Sequence, residues 1–219
     1  MLLRRNKIII IIFILMQIND LNAQVVIPKN NSWLGIIFQN KLKYNTNMVV
    51  DVGFRTFDLL SKRRNVFGRF FLEKSIKNNF SVGAGYALFE NFSFSKNNYF
   101  LEHRPFTNMQ IRWKNERSEF FFRNRNEWRI YVSGMKNTAR YRFQFAHEYA
   151  FSDLKTRISY EYLKTSDNTK ERRYTVGIIL PVNQQRINLF YAINRQTSLI
   201  INNKLINQHV FGIQLQIIK

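Results

Sequence analysis

The chain has 219 residues, no Cys, 16% aromatic residues with Phe alone at 21, and a formal charge of +20. Without Cys there is no disulfide framework and no thiolate metal site, and the three His are too scattered in sequence to form a metal cluster, so no cofactor or metal is expected. The basic excess would suit nucleic acid only if it gathered on one element. Here Lys and Arg are dispersed through turns, loops and strand faces, so no nucleic-acid partner is expected.

The first residues read as a leader. Arg4, Arg5 and Lys7 precede an apolar run, Ile8 to Ile18, interrupted only by Gln17, and Leu21-Asn22-Ala23 ends on a small residue. This predicts a cleavable signal peptide over residues 1–23 and one domain over 24–219. The run is well short of the ~20 apolar residues that a spanning helix needs.

Eleven segments of period-two alternation follow. They run near Trp33–Tyr44, Met48–Phe57, Val66–Ile76, Phe80–Phe89, Arg104–Trp113, Glu119–Tyr131, Arg140–Phe151, Lys155–Lys164, Arg172–Leu180, Arg186–Arg195 and Gln208–Ile218. Phe80–Leu88 is the clearest: Phe80, Val82, Ala84, Tyr86 and Leu88 share one face, and Ser81, Gly83, Gly85 and Ala87 the other. Segments of about ten residues suit tilted membrane strands. Connections are short after odd-numbered segments and longer after even-numbered ones, the pattern of short periplasmic turns and longer outer loops. The predicted fold is all-β, a single antiparallel up-and-down transmembrane barrel in the bacterial outer membrane. Even parity then asks for twelve strands, the twelfth at Gln24–Lys29, or for ten as second choice.

Charged runs occupy the polar faces. Arg123, Arg125, Glu127 and Arg129 fall on one face. Arg140, Arg142, Gln144 and Glu148 follow on the next strand, then Arg157, Ser159 and Glu161, and then Arg173. A basic group at mid-depth in lipid costs roughly 2–4 kcal/mol, so these groups, with Asp51 and Arg55, are expected to face the lumen. Adjacent strands would bring Arg and Glu together as a salt-bridged ladder.

Ser32-Trp33-Leu34-Gly35, the Arg123-x-Arg125-x-Glu127-x-Arg129 run, Arg140-Tyr141-Arg142, Tyr160-Glu161 and Arg173-Tyr174-Thr175-Val176-Gly177 carry a family resemblance. In these motifs the chain resembles the domain-of-unknown-function 2490 family of exported proteins of Gram-negative bacteria. The resemblance implies an outer-membrane β-barrel with no assigned activity. The chain departs from the general barrel pattern at Ile217-Ile218-Lys219, which lacks the terminal aromatic used as an assembly signal.

Function stays open among several readings. The inward charges neutralise one another and fill the lumen, or they leave a gap and form a small anion-favouring, porin-like channel for anionic solutes. A barrel-embedded lipid-modifying enzyme would have to use His103 beside Glu102, with Ser93 and Ser95 nearby; no catalytic role is expected of them. His147 and His209 fall on apolar faces. The aromatic loop Glu90–Leu101 and the apolar loop Gln196–Asn207 suit docking or a plug. Outer-membrane lipid, lipopolysaccharide and the barrel-assembly machinery are the remaining expected partners.

Overall fold

In the computed structural model, residues 29–57, 60, 62–93, 98–132, 134–183, 185–197 and 205–218 are described. They form eleven strands: β1 (Lys29–Leu42), β2 (Thr46–Phe57), β3 (Lys62–Lys77), β4 (Phe80–Ser93), β5 (Asn98–Lys114), β6 (Ser118–Tyr131), β7 (Thr138–Ala150), β8 (Lys155–Thr165), β9 (Lys170–Val182), β10 (Gln185–Thr197) and β11 (Leu205–Ile218). Each strand pairs antiparallel with its sequence neighbour, and β1 pairs with β11 in parallel, closing the barrel. This corrects the expected strand number of twelve or ten. Even parity follows from antiparallel closure, whereas one parallel pair lets an odd number close. Here Trp33 aligns with Gly212 and Ile36 with Leu215 in direct β1–β11 register, so no strand lies between them. Lys29 belongs to β1, and 24–28 lie outside the described residues, as does the expected leader.

Two turns show how the chain reverses. Tyr44 and Asn45 both take positive φ, 58° and 54°, as a two-residue primed turn requires, and the Thr46 N–H donates to the Lys43 carbonyl at 3.3 Å. At the other end Asp167 accepts from the Thr165 hydroxyl and, at 3.0 Å, from the Thr169 N–H. The connections 43–45, 78–79, 115–117, 151–154 and 183–184 share one end of the barrel, and 58–61, 94–97, 132–137, 166–169 and 198–204 share the other. The long-loop end is shorter than expected. The supposed aromatic loop is mostly strand, with β4 running to Ser93 and β5 starting at Asn98. There Phe92 packs on Tyr99, with ring centroids 5.1 Å apart, and Phe100 packs on Tyr131 at 6.1 Å. Ser95 lies outside the described residues, as does most of the expected apolar loop 196–207.

Alternation sorts side chains to two faces. Phe54, Phe70, Tyr86, Leu88, Phe143, Phe145, Ile178 and Ile213 are exposed on the outside, while Ala87, Phe89, Phe106, Arg125 and Glu161 are buried inside. Leaving so many large apolar groups outward in water would forfeit roughly 1.5–3 kcal/mol apiece relative to burying them. Near the short turns the outer face carries an aromatic band: Phe120 stacks on His147 with centroids 4.2 Å apart, and Tyr149 meets Phe151 at 4.9 Å.

The interior is two-sided. Along β5 to β9 it is charged. Along β10, β11 and β1 to β4 aromatic and small residues predominate, with Asp51, Arg55, Arg64 and Arg69 set among them. Phe67 stacks on Phe89 at 5.2 Å, and Trp33 meets Phe67 and Phe190 edge-on at 6.0 and 5.4 Å. Glycines make room for these rings. A Cβ on Gly212 would collide with the Phe190 ring, and one on Gly85 would collide with Phe71 and Phe106 and with the Phe70 carbonyl. The Gly83-x-Gly85 pair therefore relieves crowding inside the barrel.

Candidate functional site

The charged wall is a ladder built by strand pairing. Cross-strand partners on one face stand about 4.5–5.5 Å apart, so residues two apart along neighbouring strands can share carboxylates. Glu102 on β5 is fully buried and receives a fork from Arg104, Nε at 2.6 Å and Nη2 at 2.7 Å. Arg129 of β6 donates to the same carboxylate at 2.5 Å, and the Asn91 amide of β4 at 2.8 Å. Glu127 of β6 accepts from Arg140 and, at 2.7 Å, from Arg142, both on β7. Arg142 also reaches Glu161 of β8 at 2.7 Å, Arg173 of β9 reaches its other oxygen at 2.9 Å, and Arg123 lies 3.8 Å away. Arg173 continues to Glu171 at 2.9 Å and to the Asn194 amide oxygen of β10 at 2.7 Å. One chain of charge-assisted bonds thus links β7 to β10 through Glu161, with Glu127 joining it from β6.

Beside the ladder lies a cavity of about 660 Å³. Eleven arginines line it, against three carboxylates: Asp51, Glu161 and Glu171. On β2 its lining runs from Val49 to Phe57, roughly 26 Å along the strand at ~3.3 Å per residue. Of the residues singled out in the sequence, Asp51, Arg55, Arg123, Arg125, Arg129, Arg140, Arg142, Arg157, Glu161 and Arg173 line this cavity. Glu127 stands behind Arg140 and Arg142, and Glu148 pairs with Arg157 at 3.2 Å. Sequence reasoning missed Arg64, Arg69 and Arg104, which also line the cavity, as well as Glu102, which anchors Arg104 and Arg129. The Glu102-x-Arg104 spacing was the available signal.

Glu102 and His103 part company. Being adjacent on a strand, they point to opposite faces, Glu102 into the lumen and His103 outward to a hydrogen bond with Tyr86. His209 shares a 2.5 Å hydrogen bond with Tyr191, and His147 stacks on Phe120.

Three of the eleven lumen arginines have no ion pair among the described residues: Arg64, which donates to the Gln208 amide oxygen at 3.0 Å, and Arg55 and Arg125. Among the described residues neither Arg55 nor Arg125 is within ion-pair distance of an acid, and the Nε of each is buried without a hydrogen-bond partner. Each lies over aromatic faces instead. Arg55 Cζ is 4.0 Å from the Trp33 ring centroid, and Arg125 Cζ is 4.5 Å from that of Phe106. A desolvated cation–π contact is worth about 2 kcal/mol, whereas taking an unpaired ion out of water costs several. The rings alone do not offset that cost.

Against known families, the model described as "Protein of unknown function (DUF2490)" matches residues 30–202. The chain belongs to the DUF2490 family. No curated protein matches it. Among solved structures, this DUF2490 chain is similar to the outer-membrane expressed OmpT of Vibrio cholerae, at 9% identity over 70% of this chain and 55% of that one, with a TM-score of 0.44. It is also similar to an anion-selective porin from Comamonas acidovorans, at 9% identity over 76% of this chain and 55% of that one, with a TM-score of 0.41. The DUF2490 chain thus spans about half the length of either protein.

Proposed function

We propose that this DUF2490 protein is an integral barrel of the bacterial outer membrane and that its lumen is an anion-favouring passage. The observation that carries the reading is the long cavity lined by eleven arginines and three carboxylates. A closed barrel leaves no unpaired strand edge for lipid, and its apolar outer face suits hydrocarbon. The short turns then face the periplasm and the longer loops the outside. Lipid and lipopolysaccharide surround it, and the outer-membrane assembly machinery inserts it.

The ladder and the passage divide the lumen between them. Glu102, Glu127 and Glu161 hold the arginines of one wall in fixed places, and the surplus of positive charge fills the space beside them. Low-dielectric walls focus that field, raising the local concentration of anions over cations. With strands tilted by roughly 35–45°, the ~26 Å run of the cavity along β2 rises about 20 Å, most of the ~25 Å apolar band of such barrels. The reading involves no catalytic step.

Planar-bilayer recording under a tenfold KCl gradient tests it. The expected result is a conductance whose reversal potential lies on the chloride side. Absence of conductance at every voltage, or a reversal potential on the potassium side, overturns the passage.

A further inference from the structure

We infer that Arg55 and Arg125 each present a binding position for a flat organic anion within the lumen, a step that rests on the anion-passage reading and sharpens it from a diffuse field to a discrete ligand class. Most of the lumen arginines already have acidic partners: Arg104 and Arg129 on Glu102, Arg140 on Glu127, Arg142 on Glu127 and Glu161, Arg173 on Glu161 and Glu171, Arg69 on Asp51, and Arg157 on Glu148. Arg64 has the Gln208 amide oxygen at 3.0 Å instead, which leaves Arg55 and Arg125. Arg125 is 3% exposed, sits opposite Arg142 in the β6–β7 register, and has no carboxylate within ion-pair distance among the described residues. Arg55 is likewise without one among the described residues. Both side chains line the cavity, and the buried Nε of each has no hydrogen-bond partner. For the Nε–H of each, the described residues supply no acceptor.

The surroundings specify the rest of the ligand. A guanidinium fork offers two parallel N–H donors to a planar anionic group such as a carboxylate. Trp33 and Phe190 line the same cavity, edge to face, with Arg55 lying over Trp33. Phe71, beside Arg125, lines it as well. Rings next to a cation suit a ligand whose anionic group is joined to a flat apolar body. The cavity volume, about 660 Å³, is in the range of sites that enclose small organic molecules. Chloride would satisfy the charge but leave the aromatic surface unused.

Isothermal titration of the refolded barrel in detergent with benzoate and with acetate tests the site directly. Saturable benzoate binding is expected, at least tenfold tighter than acetate, because only benzoate carries the apolar body. Arg55→Lys and Arg125→Lys keep the charge but lose the planar fork and the stacking. Each should weaken benzoate binding at its own position at least tenfold. Arg112→Gln, near the short turns and outside the cavity, should leave benzoate binding unchanged. Absence of saturable benzoate binding to the wild-type barrel, or equal affinity for acetate, overturns the site without needing any variant to fold. Lysine variants that fold and bind benzoate as the wild type does overturn the assignment to these two residues. Benzoate binding without any conductance would uphold the site and remove the passage; chloride preference without benzoate binding would do the reverse.

Discussion

Replacing Glu161 with Gln is expected to destabilise the barrel by about 3–5 kcal/mol, the range seen when one partner of a buried ion pair is removed. Glu161 is 2% exposed and its two oxygens hold Arg142 and Arg173 at 2.7 and 2.9 Å, with Arg123 at 3.8 Å. Glutamine keeps the shape and one acceptor but removes the charge that three guanidiniums share. Arg142 retains Glu127, and Arg173 retains Glu171, whereas Arg123 has no other ion pair among the described residues. Urea unfolding of the barrel refolded into lipid vesicles measures the loss. Adding Arg123→Gln to Glu161→Gln should recover part of it, since that removes a charge left without a partner. A change below 1 kcal/mol in the single variant would mean that the ladder is solvated rather than buried.

The second large effect concerns the outer face. Phe143 lies mid-strand on β7 between Arg142 and Gln144, which both line the cavity, and its own side chain is exposed outward. In lipid, Phe143→Arg should cost roughly 2–4 kcal/mol, the penalty for a basic group near mid-depth. In water the same change at an exposed site would usually stay within ~0.5 kcal/mol. Phe143→Leu, which keeps the face apolar, should stay close to wild type in either solvent. Parallel unfolding of the two variants from vesicles therefore reports the solvent outside the barrel: a loss confined to Arg means lipid, and indifference to both means water.

Alternation was readable wherever the inside is polar. Arg140 to Glu148 announced its face because Tyr141, Phe143, Phe145 and His147 alternate with it, and Arg123 to Arg129 because its charges recur at every second position. On β3 the same rule fades, since Phe67 and Phe71 point in while Phe70 and Leu72 point out, and Arg69 is then an isolated charge in an apolar run. The aromatic wall hides its own periodicity. Arg64 and Glu171 were missed for another reason: both lie where pairing carries the strand beyond its patterned stretch, and local pattern cannot locate such ends. Glu102 drew attention through its neighbour His103, although adjacency on a strand separates two side chains rather than joining them.

Closure was the least legible feature. Nothing local in Trp33–Phe38 or in Phe211–Ile217 indicates a parallel partner, and the contact joins the two ends of the chain, as in the 3.0 Å hydrogen bond from Gln216 to Gln39. The counting rule assumed antiparallel closure and so asked for a strand too many. The distinction of inside from outside depends on this seam, because an unclosed sheet has no lumen for the arginines to line.

The seam can be tested with a single cross-link. The chain has no native Cys, so Leu34→Cys with Ile213→Cys would introduce the only thiols. Those positions are direct partners in the parallel β1–β11 register. A disulfide tolerates Cα separations up to about 7 Å, and adjacent strands stand ~4.8 Å apart, so mild oxidation of the folded barrel should cross-link the pair. Leu34→Cys with Leu189→Cys, where β11 intervenes between β1 and β10, should stay reduced. If a twelfth strand separated β1 from β11, the first pair would stand ~9.6 Å apart and remain reduced as well, and eleven-strand closure would be contradicted.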